Sequence, residues 1–291
     1  MPAVFMNGGI TMKKHIILMI GAAVLAALCL VFSFMAYRQY ADAKESAEAF
    51  DNIAALVVED TLPEMTEPDV MPDTENNVEE QDTEHEQESQ ISAYERYAAV
   101  QEQNSDFVGW VSINGTSINY PVMQTIDEPN YYLKRGFDKN YSDYGVPYMQ
   151  ENCVIGISDN LVIYGHHMND GSMFADLCRY EDEDFYREHP TIQFDTLSGY
   201  GEYEIVAVFK TVAYSQEGFK YYHFVDAEDE TAFNAYIAKC EELALYDTGV
   251  DAVYGDKLIT LSTCEYSRTN GRMVVVAKLV TPPAGEVETD A

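Results

Sequence analysis

The chain has 291 residues, 47% of them hydrophobic, and sets 17 lysines and arginines against 50 aspartates and glutamates, a net charge of −33. That length is enough for one well-buried domain with extensions. The charge repels phosphate backbones and anionic lipid surfaces, so it argues against a nucleic-acid partner and requires any membrane contact to be hydrophobic.

In chain order, residues 1–14 form a short N-terminus ending in Lys13 and Lys14. Met12 reads as a natural translation start, which leaves residues 1–11 as an upstream extension. Residues 15–37, "HIILMIGAAVLAALCLVFSFMAY", have no charge after His15 and are long enough to cross a bilayer as a helix. A cleaved signal peptide is the competing reading. Its apolar core is shorter and ends on small residues, whereas this run ends on Phe32, Phe34, Met35 and Tyr37. An uncleaved transmembrane anchor is therefore expected, with Lys13 and Lys14 on the cytoplasmic side and the rest of the chain outside. Residues 38–90 read as a helical, then disordered, acidic spacer. Within them, residues 59–90 hold thirteen acids and three prolines with no lysine or arginine, too little apolar surface to offset the ordering entropy.

From residue 91 the composition becomes globular. "ISAYERYAAVQEQNSDF" predicts a short amphipathic helix. "VGWVSINGTSINYPVM" predicts a hairpin about Asn114-Gly115. Further β-runs are "GVPYM", "NLVIYGH", "TIQFDT", "EYEIVAVFKTVAY", "KLITLSTC" and "RMVVVAKLV". Helical stretches are "SMFADLCRY" and "AEDETAFNAYIAKCEELALY". In the second, Phe233, Tyr236, Ile237, Cys240 and Leu243 share one face, so Cys240 is expected in the core. Many short strands with few helices predict a mainly β fold, a closed barrel or a sandwich. Residues 282–291 are small and acidic and read as a flexible tail.

The five cysteines, Cys29, Cys153, Cys178, Cys240 and Cys264, contain no CxxC pair, which argues against structural zinc and leaves one or two disulfides open. Two stretches are chemically loaded. One β-run ends on Gly165 and then presents His166 and His167. Another ends on Cys264, and the next begins at Arg272. A nucleophilic thiol needs a neighbour that takes its proton, usually imidazole, and acyl transfer needs a donor for the oxyanion, which arginine supplies at any pH. Singly, each residue has an ordinary reading: a buried cysteine, a surface histidine, a turn arginine.

Together the stretches resemble the sortase family, class B in particular. "TLSTC" matches that family's TLxTC cysteine motif, Arg272 stands directly before the final β-run, and "YGHHMNDGSMFADL" is similar to the class B histidine segment. Softer likeness runs through "NSDFVGWVSINGTSINYPVMQ" and "YDTGVDAVYGDKLITLSTC", so the resemblance covers residues 91–281. It implies an eight-stranded sortase barrel with a helix between the sixth and seventh strands, at about residues 227–246. It implies a membrane-anchored cysteine transpeptidase on the outer face of a Gram-positive cell. That enzyme would cleave a C-terminal sorting signal of secreted proteins through a thioacyl intermediate and pass them to a peptidoglycan or pilin amine. The resemblance assigns Cys264 as nucleophile, His166 as acid/base and Arg272 as oxyanion and substrate clamp. It carries Ser262 and Glu265 over as positions that touch the sorting peptide. It selects His166 over His167 because the catalytic histidine directly follows glycine, and a strand period of two points His167 the other way. His189 and His223 match no catalytic position. No cofactor is implied, and the histidines and cysteines offer no metal-ligand spacing. Two alternatives remain open: a related cysteine peptidase that mainly hydrolyses, and a non-catalytic anchored surface module.

Overall fold

In the computed structural model, which describes residues 8–57, 91–214 and 216–281, eight strands close into one barrel. The acidic stretch expected at 59–90 and the tail expected at 282–291 lie outside the described residues. The chain forms two compact units, one ending at Ala49 and one beginning at Phe50.

The first unit is helical. Helix α1 (Gly8–Ala54) runs without a proline, and its apolar stretch, with a mean hydropathy of 2.7, is long enough to cross a membrane. The anchor expected at 15–37 falls inside it.

In the second unit the end of α1 does more than space. Ile53 is buried in a cluster with Tyr97, Val100, Phe107 and Trp110, and the Phe50 ring meets Tyr120 edge-on at 5.0 Å. Phe50 to Val57 thus pack as part of this unit, although the sequence reading assigns them to the spacer. Helix α2 (Ala93–Gln103) starts at a reciprocal capping box between Ser92 and Glu95 and buries Ala93, Tyr97 and Val100.

The strands are β1 (Phe107–Ser112), β2 (Asn119–Met123), β3 (Tyr148–Met149), β4 (Asn160–Tyr164), β5 (Thr191–Thr196), β6 (Glu202–Val212), β7 (Leu258–Glu265) and β8 (Gly271–Thr281). Their order around the barrel is β1-β2-β3-β4-β7-β8-β6-β5, and β5 pairs back onto β1. The β2–β3 and β4–β7 pairs are parallel and the rest antiparallel. The barrel, not the sandwich, is thus the architecture. The β1–β2 connection is wider than a two-residue turn: Ile113 N–H donates to Ile118 O at 2.9 Å. Gly115 still serves the turn, because its φ is 76° and a Cβ there would lie 2.7 Å from His189 Cε1.

Helix α3 (Glu183–Glu188), capped by Asp182, has no counterpart in the sequence reading, since six residues give too little periodicity. "SMFADLCRY" folds as a 3₁₀ turn over Ala175–Glu181. Helix α4 (Glu230–Leu243) lies between β6 and β7 as expected, with Phe233, Tyr236, Ile237 and Cys240 buried and Leu243 half-buried.

Candidate active site

Parallel pairing of β4 with β7 puts the two loaded stretches side by side. The ladder ends at Tyr164 opposite Ser262, and Gly165 N–H then donates to Ser262 O at 3.1 Å. Thr263 Oγ1 donates to Gly165 O at 2.8 Å. Gly165 has no room for a side chain, because a Cβ would lie 2.5 Å from the Phe174 ring. That close packing turns the chain out of the sheet just where His166 begins. On the other edge of β7, Cys264 pairs directly with Arg272 of β8. Directly opposed residues of an antiparallel pair project on the same face. Cys264, His166 and Arg272 therefore gather at one end of the barrel, all half-buried, and all three line one groove of about 830 Å³.

Each is held. His166 Nε2 is 2.7 Å from Leu133 O. A carbonyl only accepts, so Nε2 carries the proton and Nδ1 is the basic nitrogen. Burial lowers the pKa of His166, so neutral imidazole is favoured near neutral pH. Arg272 Nη1 donates to Gly271 O at 2.9 Å, and its guanidinium stands 5.9 Å from the Tyr214 ring centroid. Ser262, carried over as a peptide-contacting position, lines the groove, but it is 1% exposed and its hydroxyl is 2.6 Å from that of Tyr221. Glu265 is not among the groove-lining residues. Its carboxylate accepts from Ser267 N–H at 2.9 Å and Ser267 Oγ at 2.7 Å, with Lys210 at 3.6 Å.

The strand period also sorts the histidines. Tyr164 and His166 line the groove and His167 does not. Of the two histidines that match no catalytic position, His223 lines the groove, whereas His189 is bound to Asn114 O at 2.8 Å, away from it. The cysteines are all free. Burial pushes the thiols of Cys153 and Cys178 up to about 11 and that of Cys240 to about 12, which keeps them protonated and unreactive. Sequence reasoning missed Leu133, Tyr214 and Tyr221. Leu133 acts through its backbone carbonyl, which leaves no trace in residue type.

A closed eight-stranded barrel with cysteine, histidine and arginine at one groove is the layout of a sortase. The sortase-domain family profile matches residues 111–280. Sortase B of Listeria monocytogenes is 38% identical over 186 residues, 62% of this chain and 73% of the relative. Sortase B of Staphylococcus aureus is 31% identical over 189 residues, 64% of this chain and 75% of the relative. The structure of the S. aureus sortase B–substrate complex superposes with a TM-score of 0.60 at 30% identity, over 65% of this chain and 87% of that one. The chain belongs to the sortase family, as a class B member and thus a cysteine transpeptidase.

Proposed function

We propose that Cys264 is the nucleophile, His166 the acid/base and Arg272 the oxyanion and substrate clamp of a membrane-anchored class B sortase. The observation that carries this reading is the meeting of these three side chains in one groove at the ends of β4, β7 and β8. The substrates are secreted proteins with a C-terminal sorting signal, in keeping with the substrate-bound S. aureus relative. A peptidoglycan or pilin amine is the acceptor.

The reaction follows from the protonation states. Neutral His166 takes the Cys264 proton at Nδ1 as sulfur attacks the scissile carbonyl. The oxyanion forms against the Arg272 guanidinium, whose planar fork stays charged throughout. Imidazolium then returns the proton to the departing nitrogen, leaving a thioacyl enzyme. The acceptor amine attacks the thioester, gives its proton to His166, and the thiol is regenerated. Ser262, buried two residues before Cys264 on β7 and tied to Tyr221, forms part of the groove wall. Glu265, carried over as a second peptide-contacting position, is held on the loop after β7 by Ser267.

Residues 15–37 anchor the enzyme as a single span, with residues 1–14 cytoplasmic and residues 91–281 as the extracellular catalytic domain. The apolar length of α1 supports this. The acidic residues within 38–90 serve as a spacer. Protease added to intact cells should remove the catalytic domain and spare the residues before the span. Recovery of a soluble chain lacking residues 1–37 would refute the anchor. For the chemistry, the deciding test is turnover of a sorting peptide by Cys264→Ala, His166→Ala and Arg272→Ala, each checked for folding. An active Cys264→Ala protein would refute the assignment.

A further inference from the structure

Behind the groove, on the face of β7 turned away from the substrate, His167 completes a hydrogen bond that the sheet itself leaves open. The β4–β7 ladder is parallel, and its last backbone rung is Gly165 N–H to Ser262 O at 3.1 Å. By the two-residue period of a strand, the next carbonyl facing β4 is that of Cys264, and the next amide in line is that of His167. That rung is not made by the backbone, because β4 leaves the sheet at Gly165 and His167 pairs instead with Met173. The His167 side chain takes its place, with Nδ1 3.1 Å from Cys264 O. Since the carbonyl only accepts, Nδ1 carries the proton, and the tautomer of His167 is opposite to that of His166. The ring is itself braced. Tyr266 Oη donates to His167 O at 3.0 Å and its ring meets the imidazole edge-on at 5.0 Å. The Cys178 thiol lies 3.3 Å from Nδ1 and 3.7 Å from Cys264 O.

We infer that His167 is a positioning residue for acyl transfer: its Nδ1–H substitutes for the missing ladder amide and fixes the backbone of Cys264 at the strand end. This rests on Cys264 being the nucleophile. On its β8 side Cys264 faces Arg272 across the strand pair, and on its β4 side its carbonyl is pinned by His167. Without that pin the end of the nucleophile strand is free on its β4 side to shift relative to His166 and Arg272. A misplacement of about 1 Å costs on the order of a hundredfold in rate.

The test separates the donor from the bulk of the ring. The amide nitrogen of asparagine is as many bonds from the backbone as Nδ1, and that of glutamine is one bond further. His167→Asn should therefore keep kcat within about threefold, and His167→Gln and His167→Leu should lower it about ten- to a hundredfold, with KM within about twofold for all three. The readouts are kcat and KM for a sorting peptide with a saturating amine, with circular dichroism for folding. Equal impairment of the Asn and Gln variants, parental kcat in a folded Leu or Gln variant, or a loss confined to KM would overturn the inference. If Leu does not fold, the Asn–Gln pair decides alone. Cys264→Ala is assayed alongside. If it retains turnover, the nucleophile assignment fails and this inference with it. If it is dead, the His167 series stands on its own.

Discussion

Two of the cysteines, Cys264 at the groove and Cys240 on α4, differ in almost everything that governs reactivity. At the groove, Cys264 is half-buried at the end of β7, beside Arg272 and with His166 in the same groove. On α4, Cys240 is 0% exposed in a stripe with Tyr236, and burial drives its thiol up to about 12. The chemistry of the side chain is the same in both. Position makes the difference: a strand end at a barrel rim leaves the sulfur open to a carbonyl while the backbone behind it is held, whereas a helix face pressed on the barrel seals it.

The sharpest way to break this comparison is to remove each sulfur. Cys264→Ala should lower peptide turnover by about 10⁴-fold or more. Cys240→Ala should leave turnover within a few-fold and cost about 1 kcal/mol of stability through the small void it opens. Sorting-peptide cleavage and urea unfolding of both variants check it. Comparable loss of turnover in the two would erase the distinction.

The next largest effect tests the cation. If Arg272 holds the developing oxyanion through a planar fork, Lys cannot reproduce the geometry, and Arg272→Lys should lose about 10²–10³ in rate while remaining folded. Arg268, exposed in the same β7–β8 connection and absent from the groove lining, is the control, and Arg268→Lys should turn over normally. Equal losses in the two would remove Arg272 from the mechanism.

A smaller effect concerns pH. Burial lowers the pKa of His166 below that of an exposed histidine. The base form needed for attack therefore persists below about pH 6.5, and the acid limb of kcat/KM should fall below that value. The stability consequence has the same direction. The unfolded chain takes up the proton first as pH falls, so the His166 contribution is complete above about 6.5 and is lost as pH drops toward the folded pKa. Urea midpoints at pH 7.5 and 5.5 should differ less in His166→Gln than in the parent. A larger difference in the variant would contradict the assigned shift.

Much of this was legible in the residues. β-runs such as "KLITLSTC" and "RMVVVAKLV" announce strands by composition, and the helix between β6 and β7 by its 3–4 spacing. Cys264, His166 and Arg272, the proposed catalytic trio, were legible through motifs because side-chain identity sets them apart, and all three line the groove. The missing parts share a different physical origin. The partner of His166 is a backbone carbonyl on Leu133, and the partner of His167 is a backbone carbonyl on Cys264. Main-chain groups are the same at every position, so no spacing reveals them. The surroundings of Glu265, bonded to Ser267 and near Lys210, were not legible for a related reason, since adjacency to Cys264 does not tell which way a strand-end side chain turns. Phe50 and Ile53 were assigned to the spacer because their partners, Tyr120 and the Tyr97 cluster, are remote in sequence.

The central claim is covalent, and the most direct measurement is a mass map of the enzyme trapped in mid-reaction. The protein is incubated briefly with a sorting peptide without an amine, quenched in acid, digested and analysed for acyl adducts. The account predicts one thioester, on Cys264, with Cys153, Cys178 and Cys240 unmodified, and its release as a new amide when an amine such as triglycine is added before the quench. An adduct on any other residue, or turnover with no adduct at Cys264 and no amide product when amine is present, would contradict it.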